Sequence, residues 1–126
     1  MIKTKYVGNK KIDVEINGFT LHTDLPAAMK GDNSAPNAFD MFLASLASCT
    51  ATFALLYLEK AGIKKDGISV DLDPVYTKEG VSSAKVIINV PHDFPQKDEN
   101  GLKIMVEHCK VGKHINFPHE VVIIRK

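Results

Sequence analysis

From Met41 to Leu58 the chain runs without a single charged side chain. A run of that length is long enough to cross a bilayer, so it constrains every other reading of the sequence. Ser45, Ser48, Thr50, Thr52 and Cys49 interrupt it, Asp40 and Glu59-Lys60 bracket it, and strand patterns lie on both sides. The run is therefore read as the fully buried central helix of a soluble domain. Asn37 is placed to cap it, with Asp40 at the third helical position, and Gly62 to stop it after about Ala61. A helix that is apolar or small on every side must be covered on every side. One small sheet and one short helix cannot do that alone, and the small residues from Ala44 to Ala51 admit a second helix closely. The economical expectation is a homodimer with the central helices packed together.

The flanks read as strands. "KIDVEI" (Lys11–Ile16) alternates polar and apolar residues, Asn17-Gly18 is a hairpin signal, and "FTLH" (Phe19–His22) follows it. "IKTKYV" (Ile2–Val7) pairs across Gly8-Asn9 to complete three antiparallel strands. Thr23–Pro36, with its prolines, glycine and small polar residues, is a loop. Beyond the helix come strands at Ile68–Tyr76 and Ser83–Val90, a loop at Pro91–Lys97, a shorter helix from about Asp98 to Lys110, and a strand at Glu120–Arg125. The order βββ-α-ββ-α-β is an α+β fold, a mostly antiparallel sheet around a long central helix, in one domain spanning residues 1–126.

Composition closes off several classes of function. The 126 residues carry a formal charge of +1, and Lys3, Lys5, Lys10 and Lys11 read as a solvated strand face. Nucleic-acid binding needs clustered cations, which are missing here. No secretory signal opens the chain, and two cysteines without one imply a reducing, cytoplasmic setting.

Those cysteines carry the chemistry the sequence offers. On the long helix, Cys49 shares its face with Phe42, Ser45, Leu46, Thr52, Phe53 and Leu56. Leu102, Met105, Val106 and Cys109 follow the i, i+3, i+4, i+7 spacing of one face of the shorter helix. Two readings stay open. Each thiol is a small hydrophobe in a core, or the two helices bring the sulfurs together as a redox pair. The second reading requires a cation, because burial alone makes a thiol harder to ionise. A metal held by Cys49, Cys109 and one of His22, His108 or His114 matches no zinc spacing, so neither metal nor cofactor is expected. His108 projects about 100° away from Cys109 on a helix, and His92 and His119 read as surface residues.

"APNAFDMFLASLASC" (Ala35–Cys49) resembles the central-helix signature of the OsmC/Ohr family, the osmotically inducible and organic hydroperoxide resistance proteins. "HCKVGKHI" (His108–Ile115) resembles the family's second motif, with Lys110 where proline is common, and "HTDLPAAMKGDNSAP" is similar to the loop ahead of the first. The resemblance implies an intertwined homodimer and a thiol peroxidase acting on organic hydroperoxides. Cys49 would be the peroxidatic thiolate, Cys109 the resolving thiol, and a dithiol such as a dihydrolipoyl group the reductant. In this family an arginine of the N-terminal strands, held by an acid on the central helix, polarises the thiolate. Asp40, next to Phe39, is the candidate acid here, and the helix cap is its other role. Residues 1–36 hold no arginine, so Lys3, Lys5, Lys10, Lys11, His22, the single arginine Arg125 or the partner subunit would have to supply the charge. The alternative is a divergent relative without peroxidase activity that binds a small hydrophobic or thiol-reactive ligand in a groove between helices.

Overall fold

Asn17 and Gly18 turn the chain with φ of 49° and 82°, the paired positive angles of a type I′ hairpin. They join β2 (Lys11–Ile16) to β3 (Phe19–Thr23), and β1 (Lys3–Gly8) lies antiparallel on the other side of β2, so Tyr6 faces Ile12 and Ile16 faces Phe19. The computed structural model describes residues 1–115 and 118–126. It divides into two units, Met1–Leu43 and Ala44–Lys126.

In the first unit the loop after β3 is more than a tether. Asp24 is buried, and its carboxylate accepts the Ser34 hydroxyl at 2.7 Å, the Ser34 N–H at 3.0 Å and the Leu25 N–H at 2.7 Å. Ser34 is the principal cause, with Leu25 and the charge of Lys11 behind it, of a carboxyl held down to about 2 against the opposing effect of burial. Gly31 sits against the Leu25 backbone so closely that a Cβ there would lie 1.9 Å from the Leu25 carbonyl oxygen. Lys11 pairs with Asp32, whose Oδ1 also takes the Asn9 amide at 3.2 Å. The loop is a built turn around one carboxylate.

The long helix, α1 (Ala38–Ala61), begins and ends as expected. The Asn37 Oδ1 accepts the Asp40 N–H at 2.8 Å, and beyond the last turn the Ile63 N–H reaches the Leu58 carbonyl at 2.9 Å, with Gly62 at φ 68° between them. Its membrane-like composition belongs to a core helix of a soluble domain. In the second unit Leu46, Ala54 and Leu58 are wholly buried. Within this chain Leu55 and Leu56 remain 40% and 44% exposed, in line with the expectation that one sheet and one short helix cannot cover the helix alone. The second unit's sheet and α2 cover only one side of a cylinder.

That sheet is β4 (Ser69–Thr77), β5 (Gly80–Val90) and β6 (His119–Arg125), in that order. β4 runs antiparallel to β5 and β6 parallel to it, so Val86 stands between Leu72 and Val121. The parallel pair follows from the helical connection between β5 and β6. Val86, Ile88, Val90 and Val121 close the core with Ala54, Leu58, Phe94, Leu102 and Val106. Arg125 anchors one end, donating to the carbonyls of His92 at 3.1 Å and Phe94 at 2.6 Å and pairing with Glu99.

The connection departs from the expected single helix to Lys110. α2 covers Glu99–Glu107, and a separate single turn, α3, covers Lys110–Lys113. Cys109 stands between them as the N-cap of α3, at φ −50° and ψ 126°, its sulfur accepting the Gly112 N–H at 3.4 Å.

Candidate active site

The break at Cys109 builds the site. A thiol inside a continuous helix faces spent backbone groups, since its neighbours' N–H groups already serve the preceding turn. At an N-cap, the following N–H groups are free to point at sulfur. Cys109 is 1% exposed, and Cys49, presented by α1, is partly exposed.

The two thiols act on each other's ionisation, Cys109 as a donor that favours the Cys49 thiolate. Burial alone would push Cys49 up. The Cys109 thiol, the N–H groups of Val111 and Lys110, and the charge of Lys110 together outweigh it and hold Cys49 below the ordinary thiol value. Cys109 moves the opposite way, raised first by burial and then by its neighbour Cys49, with the Gly112 N–H only partly opposing. The negative charge therefore belongs on the accessible sulfur, and the proton on the enclosed one.

Gly112 is buried, and a Cβ built on it would lie 3.1 Å from His119 Nε2 and 3.7 Å from Leu46 Cδ1. Leu46 lies three residues before Cys49 on α1, so the α3 turn is wedged between α1 and the first residue of β6. His119 is half-buried against this turn, a correction to its reading as a surface residue. Parallel pairing with Ala84 draws the start of β6 inward.

The remaining candidates have the following surroundings. Asp40 is exposed in the first α1 turn, where its N–H takes the Asn37 cap. Lys11 and His22 are engaged inside the first unit with Asp32 and with Asp13 (2.7 Å), and Lys3, Lys5 and Lys10 are exposed. Arg125 is committed to Glu99 and two carbonyls. Among the described residues the cation whose charge lowers Cys49 is Lys110, the last of the lowering effects and one that sequence reasoning passed over. Its signal was present, a lysine directly after the second cysteine. His108 and His114 turn Nδ1 to the carbonyls of Ile104 at 2.7 Å and Lys110 at 2.6 Å. Among the described residues no group of three or more His, Cys, Asp or Glu is gathered as a metal site would need. A cavity of about 450 Å³ lies between the last turns of α1 and α2, lined by Tyr57, Lys60, Ile104, Met105 and His108 among others, with neither cysteine in its wall.

Residues 31–123 match the family model for OsmC-like proteins. No curated protein matches the sequence. Among solved structures, the chain is similar to a Psychrobacter arcticus 273-4 protein described as an osmotic stress induced and detoxification response protein. That match has a TM-score of 0.85 at 22% identity and covers 98% of this chain and 94% of that one. An OsmC-like protein from Mycoplasma pneumoniae matches with a TM-score of 0.81 at 10% identity, over 99% and 95% of the two chains. An organic hydroperoxide resistance protein OsmC from Legionella pneumophila matches with a TM-score of 0.67 at 17% identity, over 98% and 94%.

Proposed function

Because the chain belongs to the OsmC-like protein family, we propose that it is a thiol peroxidase that reduces organic hydroperoxides in oxidative-stress defence. The observation that carries this reading is the pair itself, an accessible Cys49 held toward its thiolate by an enclosed Cys109 that keeps its proton. The Cys49 thiolate attacks one oxygen of the peroxide O–O bond, which breaks. The alkoxide leaves and takes a proton to become the alcohol, and Cys49 becomes a sulfenic acid. The Cys109 sulfur then attacks the sulfenic sulfur, water departs, and a Cys49–Cys109 disulfide forms. A dithiol reductant, a dihydrolipoyl group being the expected class, restores both thiols by exchange and supplies the two electrons delivered to the peroxide.

The working form is a cytoplasmic homodimer. Tyr6 and Phe19 on the first sheet are 65% and 71% exposed, and Leu55 and Leu56 on α1 are uncovered, which supports burial against a second copy. Asp40 enters this reading as the acid in the first turn of α1.

The test follows loss of cumene hydroperoxide with dihydrolipoamide as reductant, comparing the wild type with Cys49→Ser and Cys109→Ser. Wild type is expected to turn over and Cys49→Ser to be inactive, and Cys109→Ser, treated with hydroperoxide in the absence of any thiol reductant, is expected to consume one equivalent and stop as the Cys49 sulfenic acid. Thiol-dependent loss no greater than that of Cys49→Ser would remove the peroxidase reading. The α1–α2 cavity favours one second reading, a ligand-binding protein without peroxidase activity. Saturable binding of a small apolar ligand without peroxide turnover would select it.

A further inference from the structure

The α3 turn is only four residues long, too short to hold its own shape, yet it presents N–H groups to both sulfurs. Something outside it must fix where those groups point. On the α1 side stands Leu46, a flexible aliphatic contact whose Cδ1 is 3.7 Å from where a methyl on Gly112 would lie. On the other side stands the edge of the His119 imidazole, with Nε2 at 3.1 Å and Cε1 at 3.6 Å from the same point. His119 is itself fixed by the parallel register of β6 on β5, opposite Ala84, and the neighbouring Pro118 carbonyl accepts the Ala84 N–H at 3.0 Å. The imidazole is thus carried on a backbone held by the sheet, with its edge against the turn.

We propose that His119 is a positioning residue, which through Gly112 holds the α3 turn where its N–H groups meet the Cys49 and Cys109 sulfurs. Gly112 matters here because a methyl at that position would lie 3.1 Å from the ring, so that the imidazole or the turn would have to give way by a few tenths of an ångström. The contact transmits position from the sheet to the thiol pair, and it needs neither a titration of the ring nor any peroxide. The inference rests on the peroxidase reading for its biological meaning, but it is measured on the thiols alone.

The complete protein, with its cysteines carrying 13C at Cβ, is titrated by NMR to read both thiols, and disulfide formation is timed with diamide. His119→Ala is expected to raise the Cys49 pKa by about one unit, because loosened N–H groups stabilise the thiolate less. It is also expected to slow Cys49–Cys109 disulfide formation about tenfold, as a small misplacement of reacting groups does. His119→Phe, which restores a ring without the nitrogens, should recover most of both. Gly112→Ala should produce the same defects, because its methyl meets the ring at 3.1 Å. Combined with His119→Ala, the same methyl should be tolerated, filling space the ring has vacated. An unchanged Cys49 pKa in folded His119→Ala overturns the proposal, and so does simple addition of the two defects in the double variant. Because diamide replaces the peroxide, a wild type that forms the disulfide but ignores hydroperoxide would refute the enzyme reading and leave this one standing.

Discussion

Replacing Cys109 by alanine should make Cys49 a poorer thiolate, although Cys49 itself is untouched. Its Cys109 hydrogen bond is the largest of the effects that lower Cys49, and alanine removes it. A hydrogen bond to a charged group contributes about 1.5–3 kcal/mol, and one pK unit corresponds to about 1.4 kcal/mol. Sulfur is a weak donor, which places the loss at the lower end. The smaller side chain also admits water, and better solvation of the thiolate offsets part of what is lost. The Lys110 and Val111 N–H groups remain. The expected outcome is a rise of about one unit.

Serine at the same position separates hydrogen bonding from bulk. Its hydroxyl still donates to the thiolate, and serine is a preferred N-cap, so the α3 turn is kept. Cys109→Ser should therefore leave Cys49 within about half a unit of the wild type. Lys110→Met should raise Cys49 by less than Cys109→Ala does, since that charge is the last of the lowering effects and sits on an exposed side chain. The assay is the pH dependence of alkylation by iodoacetamide, with the labelled site read by mass spectrometry. In the wild type the fast phase is Cys49, because Cys109 is 1% exposed and raised. A Cys49 pKa in Cys109→Ala equal to or below that in Cys109→Ser would refute the reasoning.

Two further expectations concern the first unit. Asp24, at about 2 in the fold against 3.8 unperturbed, stabilises the folded state fully above pH 3.8, and the contribution is lost as pH falls toward 2. In an acid titration followed by circular dichroism, Asp24→Asn should flatten the stability profile across that interval, and an unchanged slope would show that the loop does not depend on the charge. Gly31→Ala forces a methyl to within 1.9 Å of the Leu25 carbonyl oxygen. It should cost about 3 kcal/mol and lower the melting temperature by on the order of 10 °C, whereas a wild-type melting curve would mean the loop can open without penalty.

Wherever local chemistry decides the outcome, the structure was legible in advance. Asn17-Gly18 has one preferred hairpin geometry, "KIDVEI" forms the expected strand although none of its residues is buried within this chain, and Asn37 and Gly62 have one set of backbone groups to satisfy at each end of α1. The resemblance carried the fold class further than periodicity could. What stayed hidden depends on backbone groups. Periodicity compares side chains, so Leu102, Met105, Val106 and Cys109 fit a single helix face even though the backbone leaves the helix after Glu107. Cysteine is not among the usual N-cap residues, so it gave no stop-and-start signal, and Gly112 three positions on was the sole hint. Asp24 was hidden in the same way, its partners being backbone N–H groups and a serine in a stretch whose composition says only loop. The search for a cation looked among distant side chains because the family's arginine is distant. Ending α2 before Cys109 exposes the N–H groups of the next turn, and it also carries Lys110 to the thiol pair. One backbone break thus brings together the N–H groups of Val111 and Lys110 and, as the last of the effects that lower Cys49, the charge of Lys110.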